Sequence, residues 1–180
     1  MEALESLNVS LQQLLVMITG LDAGRVVLAD QGRPAPKGKT LYCTYRPYPI
    51  RAYGHPSKHY TEVPAIEESA ETGWTDLEER VITSLVIMVS VNFYNEGAAD
   101  AAWKMLSADR LETVTQHLFL NNLNWRKAGP VRNLTAMQRA DVQPRYQLDI
   151  DMIVRGEQAN QILAAGDAKV AMYDENDNPL

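Results

Sequence analysis

The stretch from Val81 to Tyr94 constrains the fold more than any other part of the chain. In an extended chain, successive side chains point to opposite faces. Val81, Thr83, Leu85, Ile87, Val89, Val91 and Phe93 then share one face, and Ile82, Ser84, Val86, Met88, Ser90, Asn92 and Tyr94 share the other. Both faces are largely apolar at the centre, which predicts a strand in the middle of a sheet with cover on both sides.

The remaining elements must build around that strand. Leu4, Leu7, Leu11, Leu14, Leu15 and Ile18 recur at helical spacing, and Gly20 follows as a stop signal. Residues 21–29 read as a short strand centred on Val26 to Leu28. Residues 31–38 hold two prolines and two glycines and read as an exposed loop. Residues 40–53 are rich in Thr and Tyr and favour a strand, but Pro47 and Pro49 cannot donate to a ladder, so this strand belongs on an edge or breaks there. Residues 54–64 are polar and read as a second long loop, with a further strand expected over 62–71.

Asn95-Glu-Gly97 reads as a turn, and Ala98, Ala101, Ala102, Met105 and Leu106 as the buried face of a helix. Ser107 or Asp109 is the expected cap of a second helix, buried through Leu111, Val114, Leu118 and Phe119. Residues 124–129 look like a turn and 131–137 like extended chain. From Arg145 to Arg155 the alternation is sharp: Tyr146, Leu148, Ile150, Met152 and Val154 on one face, and Arg145, Gln147, Asp149, Asp151 and Arg155 on the other. That pattern predicts an antiparallel strand with one face in water. Residues 156–180 carry little signal beyond a strand start at Gln161-Ile-Leu163 and a polar end. The order predicts an α+β fold: a mainly antiparallel sheet with an N-terminal helix and a helical hairpin packed on it. The 180 residues fit one domain, with a flexible or partner-binding tail from about Glu157.

Composition and motifs argue against most chemistry. The formal charge of -6 is wrong for gripping nucleic acid, which takes clustered Lys and Arg. The lone cysteine, Cys43, precludes an intrachain disulfide and a cysteine metal cage, and suits a reducing cytosol. The N-terminus has no basic leader, and the apolar run 85–91 is too short to span a bilayer, so no membrane partner is expected. His55 and His59 stand four apart, but Pro56 opposes the helix that a shared metal needs. His117 reads as a helix-surface residue, and Glu67, Glu68, Glu71, Asp76, Glu78 and Glu79 as a solvated acidic patch. There is no serine elbow, phosphate loop or dinucleotide fingerprint. No enzyme and no cofactor is expected. Tyr42, Tyr45, Tyr48, Tyr53 and Tyr60, interleaved with Arg46 and Arg51, suit either single-stranded nucleic acid or a protein interface. The net charge favours the interface.

The order of signals from Val81 to Gly156 resembles the phage neck terminator proteins. The strand ends in Val91-Asn-Phe-Tyr-Asn-Glu-Gly97, followed by the alanine-rich Ala98-Ala-Asp-Ala-Ala-Trp-Lys-Met-Leu106. A second helix ends in leucines by Leu123, then come Val131-Arg-Asn-Leu-Thr-Ala136 and Arg145-Tyr-Gln-Leu-Asp149. The resemblance implies a virion protein at the head–tail junction, assembled in the host cytoplasm. It implies a six-membered ring of identical subunits on the tail tube protein, docking to a head-completion or connector protein, with sheath or collar proteins as further partners. DNA would pass through the lumen without specific binding. Within that frame, Arg145, Gln147, Asp149, Asp151 and Arg155 are the expected lumen face, and Arg33, Tyr45, Arg46, Tyr48, Tyr53 and Tyr60 the expected interface residues. A head-closure adaptor is the alternative within the virion.

Overall fold

The fold is described from a computed structural model, which covers residues 2–30, 32, 36, 38–64, 75–138 and 141–162. The chain forms two compact units, one from Met1–His55 with Thr83–Gly156 and one from Pro56–Ile82 with Glu157–Leu180.

In the first unit, helix α1 (Glu2–Thr19) buries Leu11, Leu14 and Leu15 on one face. Each such leucine, fully removed from water, contributes about 1.5–3 kcal/mol. Gly20 ends the helix at φ 71°, and its amide donates to Val16 O at 2.9 Å. A 3₁₀ turn at Ala23–Arg25 leads into strand β1 (Val26–Leu28), which pairs parallel with Cys43–Tyr45 of β2 (Tyr42–Pro64). Strand β3 (Thr75–Tyr94) is longer than its apolar core suggests, starting six residues before Val81. Helix α2 (Ala98–Leu106), a 3₁₀ turn (Ala108–Arg110) and helix α3 (Glu112–Leu120) follow. The chain returns through β4 (Leu123–Ala128), β5 (Arg132–Asn133), the β6–β7 hairpin (Ala136–Gln138 and Asp141–Gln143) and β8 (Arg145–Ile162). The main sheet runs β1-β2-β3-β8-β4, with β5 also on β8. The α+β expectation holds, and β3 sits mid-sheet.

One face of that sheet carries Ile87, Val89, Val91 and Phe93 of β3 with Leu148, Ile150 and Met152 of β8. They form one core with Leu11, Leu14 and Leu15 of α1, the alanines and Met105 of α2, and Val114 and Leu118 of α3. The small side chains of Ala98, Ala101 and Ala102 let α2 lie close. On the other face of β3, Val86 and Ser90 are buried while Met88 and Asn92 are half-buried. The turn after β3 is anchored by Asn95, at φ 74°. Its amide donates to Pro144 O, its Nδ2 donates to Gly38 O and Thr40 O, and its Oδ1 accepts from Gln143.

The prolines of β2 are accommodated on an open edge. Tyr45 O accepts from Ala29 N at 2.9 Å, so the odd residues of β2 turn their backbone groups toward β1. Pro47 and Pro49 face the same way, beyond the end of β1, where among the described residues no ladder partner loses a donor. Gly54, at φ 72°, then interrupts the alternation. Upstream Tyr42 shares a face with Tyr94, both even-numbered, whereas downstream Lys58 and Tyr60 share one with the odd-numbered Glu79.

Several expectations are corrected. Residues 54–64 are strand instead of loop. The side chains of 54–62 are exposed on both faces and Val63 is half-buried, so no apolar alternation marks them. Residues 124–129 are largely strand β4, and the turn lies at Asn121-Asn122, with Asn122 at φ 54°. Neither Ser107 nor Asp109 caps α3: the 3₁₀ turn intervenes, and Leu111 takes the cap position without a side-chain bond. Leu111 and Phe119 are therefore surface residues, 51% and 79% exposed. His117 is half-buried, its Nε2 3.0 Å from Ser10 O, which ties α3 to α1. Gln161 and Ile162 end β8 instead of starting a strand, and the segment from Glu157 is still strand up to that point. Of the loop 31–38, most lies outside the described residues, as do 65–71 of the strand expected over 62–71, with Glu67, Glu68 and Glu71 among them, and the tail beyond Ile162.

The second unit contains the outer lengths of β2, β3 and β8. Lys58 Nζ lies 2.6 Å from Glu79, and Tyr60 donates to the same carboxylate at 3.1 Å. These bonds, Lys58 first, hold Glu79 below the usual carboxylate range. Arg80 bridges Glu78 at 2.6 Å and Glu157 at 3.2 Å. Asp76 is only 4% exposed and accepts from Gln161, so the acidic patch is not solvated throughout.

Candidate functional site: the outward row of β8

The alternation of β8 sends Leu148, Ile150 and Met152 into the core and leaves Arg145, Gln147, Asp149 and Asp151 half-buried on the opposite face. Each of the four finds a partner on a neighbouring element. Arg145 donates to Asn92 Oδ1 through Nε (3.2 Å) and Nη2 (2.9 Å), and its guanidinium sits 5.4 Å from the Tyr94 ring centre. Tyr94 in turn stacks on Tyr42 at 4.7 Å and 7°. Gln147 donates to Ser90 Oγ at 3.0 Å and to Asp149 Oδ1 at 3.2 Å. Asp149 faces Arg132 of β5 at 3.7 Å, and Asp151 faces Lys127 of β4 at 3.3 Å. The row is a continuous polar ladder across β3, β8, β5 and β4, in which both acids meet a cation. Beyond Asp151 the half-buried Ile153 interrupts the row; Arg155 past it is exposed, and its backbone amide donates to Asn122 O.

Sequence reasoning finds the β8 members of this ladder from their alternation. It misses Asn92 and Ser90, although polar residues inside an otherwise apolar strand are the signal. It also misses Lys127 and Arg132, which come from short strands with no periodicity of their own.

The tyrosine-rich stretch divides. Tyr45 is 3% exposed and its hydroxyl donates to Asn8 O at 2.9 Å, so it serves the core and has no surface to offer a partner. Tyr42 is 5% exposed and spent on Tyr94. A base-stacking platform thus loses two of its five rings. Arg46 pairs with Asp30 and lies 4.6 Å from the centre of the Tyr48 ring. Tyr53 and Tyr60 are exposed. Arg126 of β4 lies 5.6 Å from the Tyr53 ring centre, although β3 and β8 separate their strands. Arg33 lies outside the described residues.

Cys43 is fully buried, and burial pushes its thiol up to about 12, the opposite of an activated nucleophile. His55 and His59 are exposed on β2, and among the described residues no group of three or more His, Cys, Asp or Glu could hold a metal ion. Among the same residues no helix is long and apolar enough to cross a membrane.

The sequence that builds this α+β subunit matches a known family. The family described as phage neck terminator protein matches residues 5–172. The chain belongs to this family. No curated protein matches it. As a neck terminator it is a structural protein of the bacteriophage virion, and its interactions are with other head and tail proteins.

Proposed function

We propose that this neck terminator closes into a six-membered ring on the finished tail tube, stops tube growth and presents a docking surface to the head connector. Sheath or collar proteins are further neighbours, and assembly takes place in the host cytoplasm. DNA leaves through the lumen, which the outward row of β8 lines. The action is binding and geometry, with no turnover.

The observation that carries the lumen reading is the pairing of Asp149 with Arg132 and of Asp151 with Lys127. Cations on a conduit wall that meet no acid hold phosphates and release counterions, which is the main source of non-specific DNA affinity, and the pairs reduce such cations on this face to Arg145, held by Asn92 and the Tyr94 ring, and Arg155. Paired charges act as short dipoles whose field falls off within a few ångströms. The acids therefore work by neutralising neighbouring cations more than by repelling DNA outright.

The test is to silence the gene in its parent phage and measure tail-tube lengths by electron microscopy. Tubes that overrun their normal length, beside full heads without tails, are the expected result. Tubes of normal length that fail to join heads would remove the capping mechanism and favour a head-closure adaptor.

A further inference from the structure

Most charges on the outward sheet face of the first unit come in opposite pairs. Asp149 meets Arg132, Asp151 meets Lys127, and Arg46 of β2 meets Asp30. Arg145 and Arg155 pair with no carboxylate among the described residues. The two differ in how they are held. Arg155 is exposed and bonded through its backbone, so nothing fixes its guanidinium. Arg145 is half-buried and fixed.

The fixing partners of Arg145 are neutral. Nε and Nη2 both donate to Asn92 Oδ1, at 3.2 and 2.9 Å, and the guanidinium lies 5.4 Å from the Tyr94 ring centre. Tyr94 is held in turn by its stack on the buried Tyr42. These contacts orient the guanidinium and leave its charge whole, whereas a carboxylate of the same shape as Asn92 would cancel it. Among the described residues Nη1 has no partner in the protein. A guanidinium already held in place loses little side-chain freedom on meeting an anion, and its planar fork suits phosphate oxygens.

We propose that Arg145 is the phosphate-binding residue of the lumen wall and contacts the backbone of duplex DNA standing in the neck. The proposal rests on the ring and lumen readings and deepens them. Identical copies in a ring set their Arg145 guanidiniums at one height, a girdle on a wall otherwise neutralised by its own pairs. The contact reads no sequence, because phosphates carry none. It steadies the DNA end and is broken as the genome leaves. Asn92 is a positioning residue, which aims Arg145 without touching DNA.

Phage carrying Arg145→Gln and phage carrying Asn92→Asp test this beside the wild type. DNA release is triggered with host envelopes and timed at low and high salt, and the necks of DNA-filled wild-type particles are imaged by cryo-electron microscopy. Arg145→Gln removes the charge. Asn92→Asp keeps Arg145 and its bonds but supplies a carboxylate, so it reads the charge apart from the packing and decides the matter if Arg145→Gln particles fail to assemble. Both variants are expected to release DNA faster than the wild type. One engaged phosphate carries a log–log salt slope of about 0.9, so this advantage is expected to shrink about 3.5-fold between about 50 and about 200 mM NaCl. The images are expected to show DNA density against Arg145. A rate at or below wild type for either assembled variant overturns the phosphate contact, as does a gain that ignores salt. An image in which Arg145 meets an acid of the neighbouring copy also overturns it. Each of these leaves the lumen reading standing where the images show β8 facing the channel. An image with the β8 row turned away from the channel overturns both.

Discussion

The hydroxyl of Tyr45 on β2 donates to the backbone carbonyl of Asn8 on α1 at 2.9 Å, and this bond crosses the interior from sheet to helix. The ring is 3% exposed, so the residue combines an apolar body in the core with a satisfied polar tip. Tyr45→Phe removes the bond alone and is expected to cost about 1 kcal/mol. Tyr45→Ala also empties the space of the ring and is expected to cost about 3–5 kcal/mol, by analogy with other large aromatics. Urea denaturation of the two variants beside the wild type measures both steps.

Tyr45 and its neighbour Cys43 also set an alkaline limit. Burial pushes Cys43 from its ordinary 9.0 to about 12. Burial, and then the charge of Cys43, pushes Tyr45 from 10.0 to about 12. The unfolded chain loses these protons first, so their contribution is fully present below pH 9 and is lost as pH rises toward 12. Stability should therefore fall steadily between pH 9 and 12, through the Cys43 proton first. Cys43→Ala should flatten that slope in denaturation curves taken at successive pH values. In the folded wild type at pH 8, the thiol should resist Ellman's reagent until denaturant is added.

Asn95 holds three segments at once. A substitution there separates backbone strain from lost bonding. Asn95→Gly keeps the φ of 74° accessible and loses the bonds to Gly38, Thr40 and Gln143. Asn95→Ala loses the same bonds and adds left-handed strain of about 1–2 kcal/mol. Thermal melts should rank wild type above Gly and Gly above Ala. The reverse order between Gly and Ala would mean that the turn relaxes out of its left-handed conformation.

The β8 ladder gives a functional prediction. The acids of its ion pairs have side chains 21% and 22% exposed and their cations 57% and 72%. Pairs this open contribute about 0–1 kcal/mol. Asp149→Asn together with Asp151→Asn should therefore leave the fold intact, freeing Lys127 and Arg132. Phage carrying both changes should assemble normally and eject DNA more slowly, most visibly at low salt. Ejection at the wild-type rate would remove the lumen role of this face.

The legible parts of the fold were those that bury one face and expose the other. Leu11, Leu14 and Leu15 mark α1, and Leu148, Ile150 and Met152 mark β8, because a buried stripe imposes its period on the sequence. The far half of β2 buries neither face, so Lys58, His59 and Tyr60 read as loop although they are strand. Strand β4 was hidden by a register shift between Trp125 and Lys127, which breaks alternation within six residues. The same reason divides the site. Asp149 and Asp151 follow from the period of β8, whereas Arg132 and Lys127 are brought in by pairing between distant segments, which no local pattern encodes.

Pro47 and Pro49 have a consequence for the life of the subunit before a phage particle exists. A bare strand edge lets any extended chain zip onto it, and other copies of the same subunit are ready candidates. Where β1 stops, β2 offers two consecutive odd positions that can accept but never donate. That stretch of edge is therefore a poor template for a further strand, whatever chain approaches it.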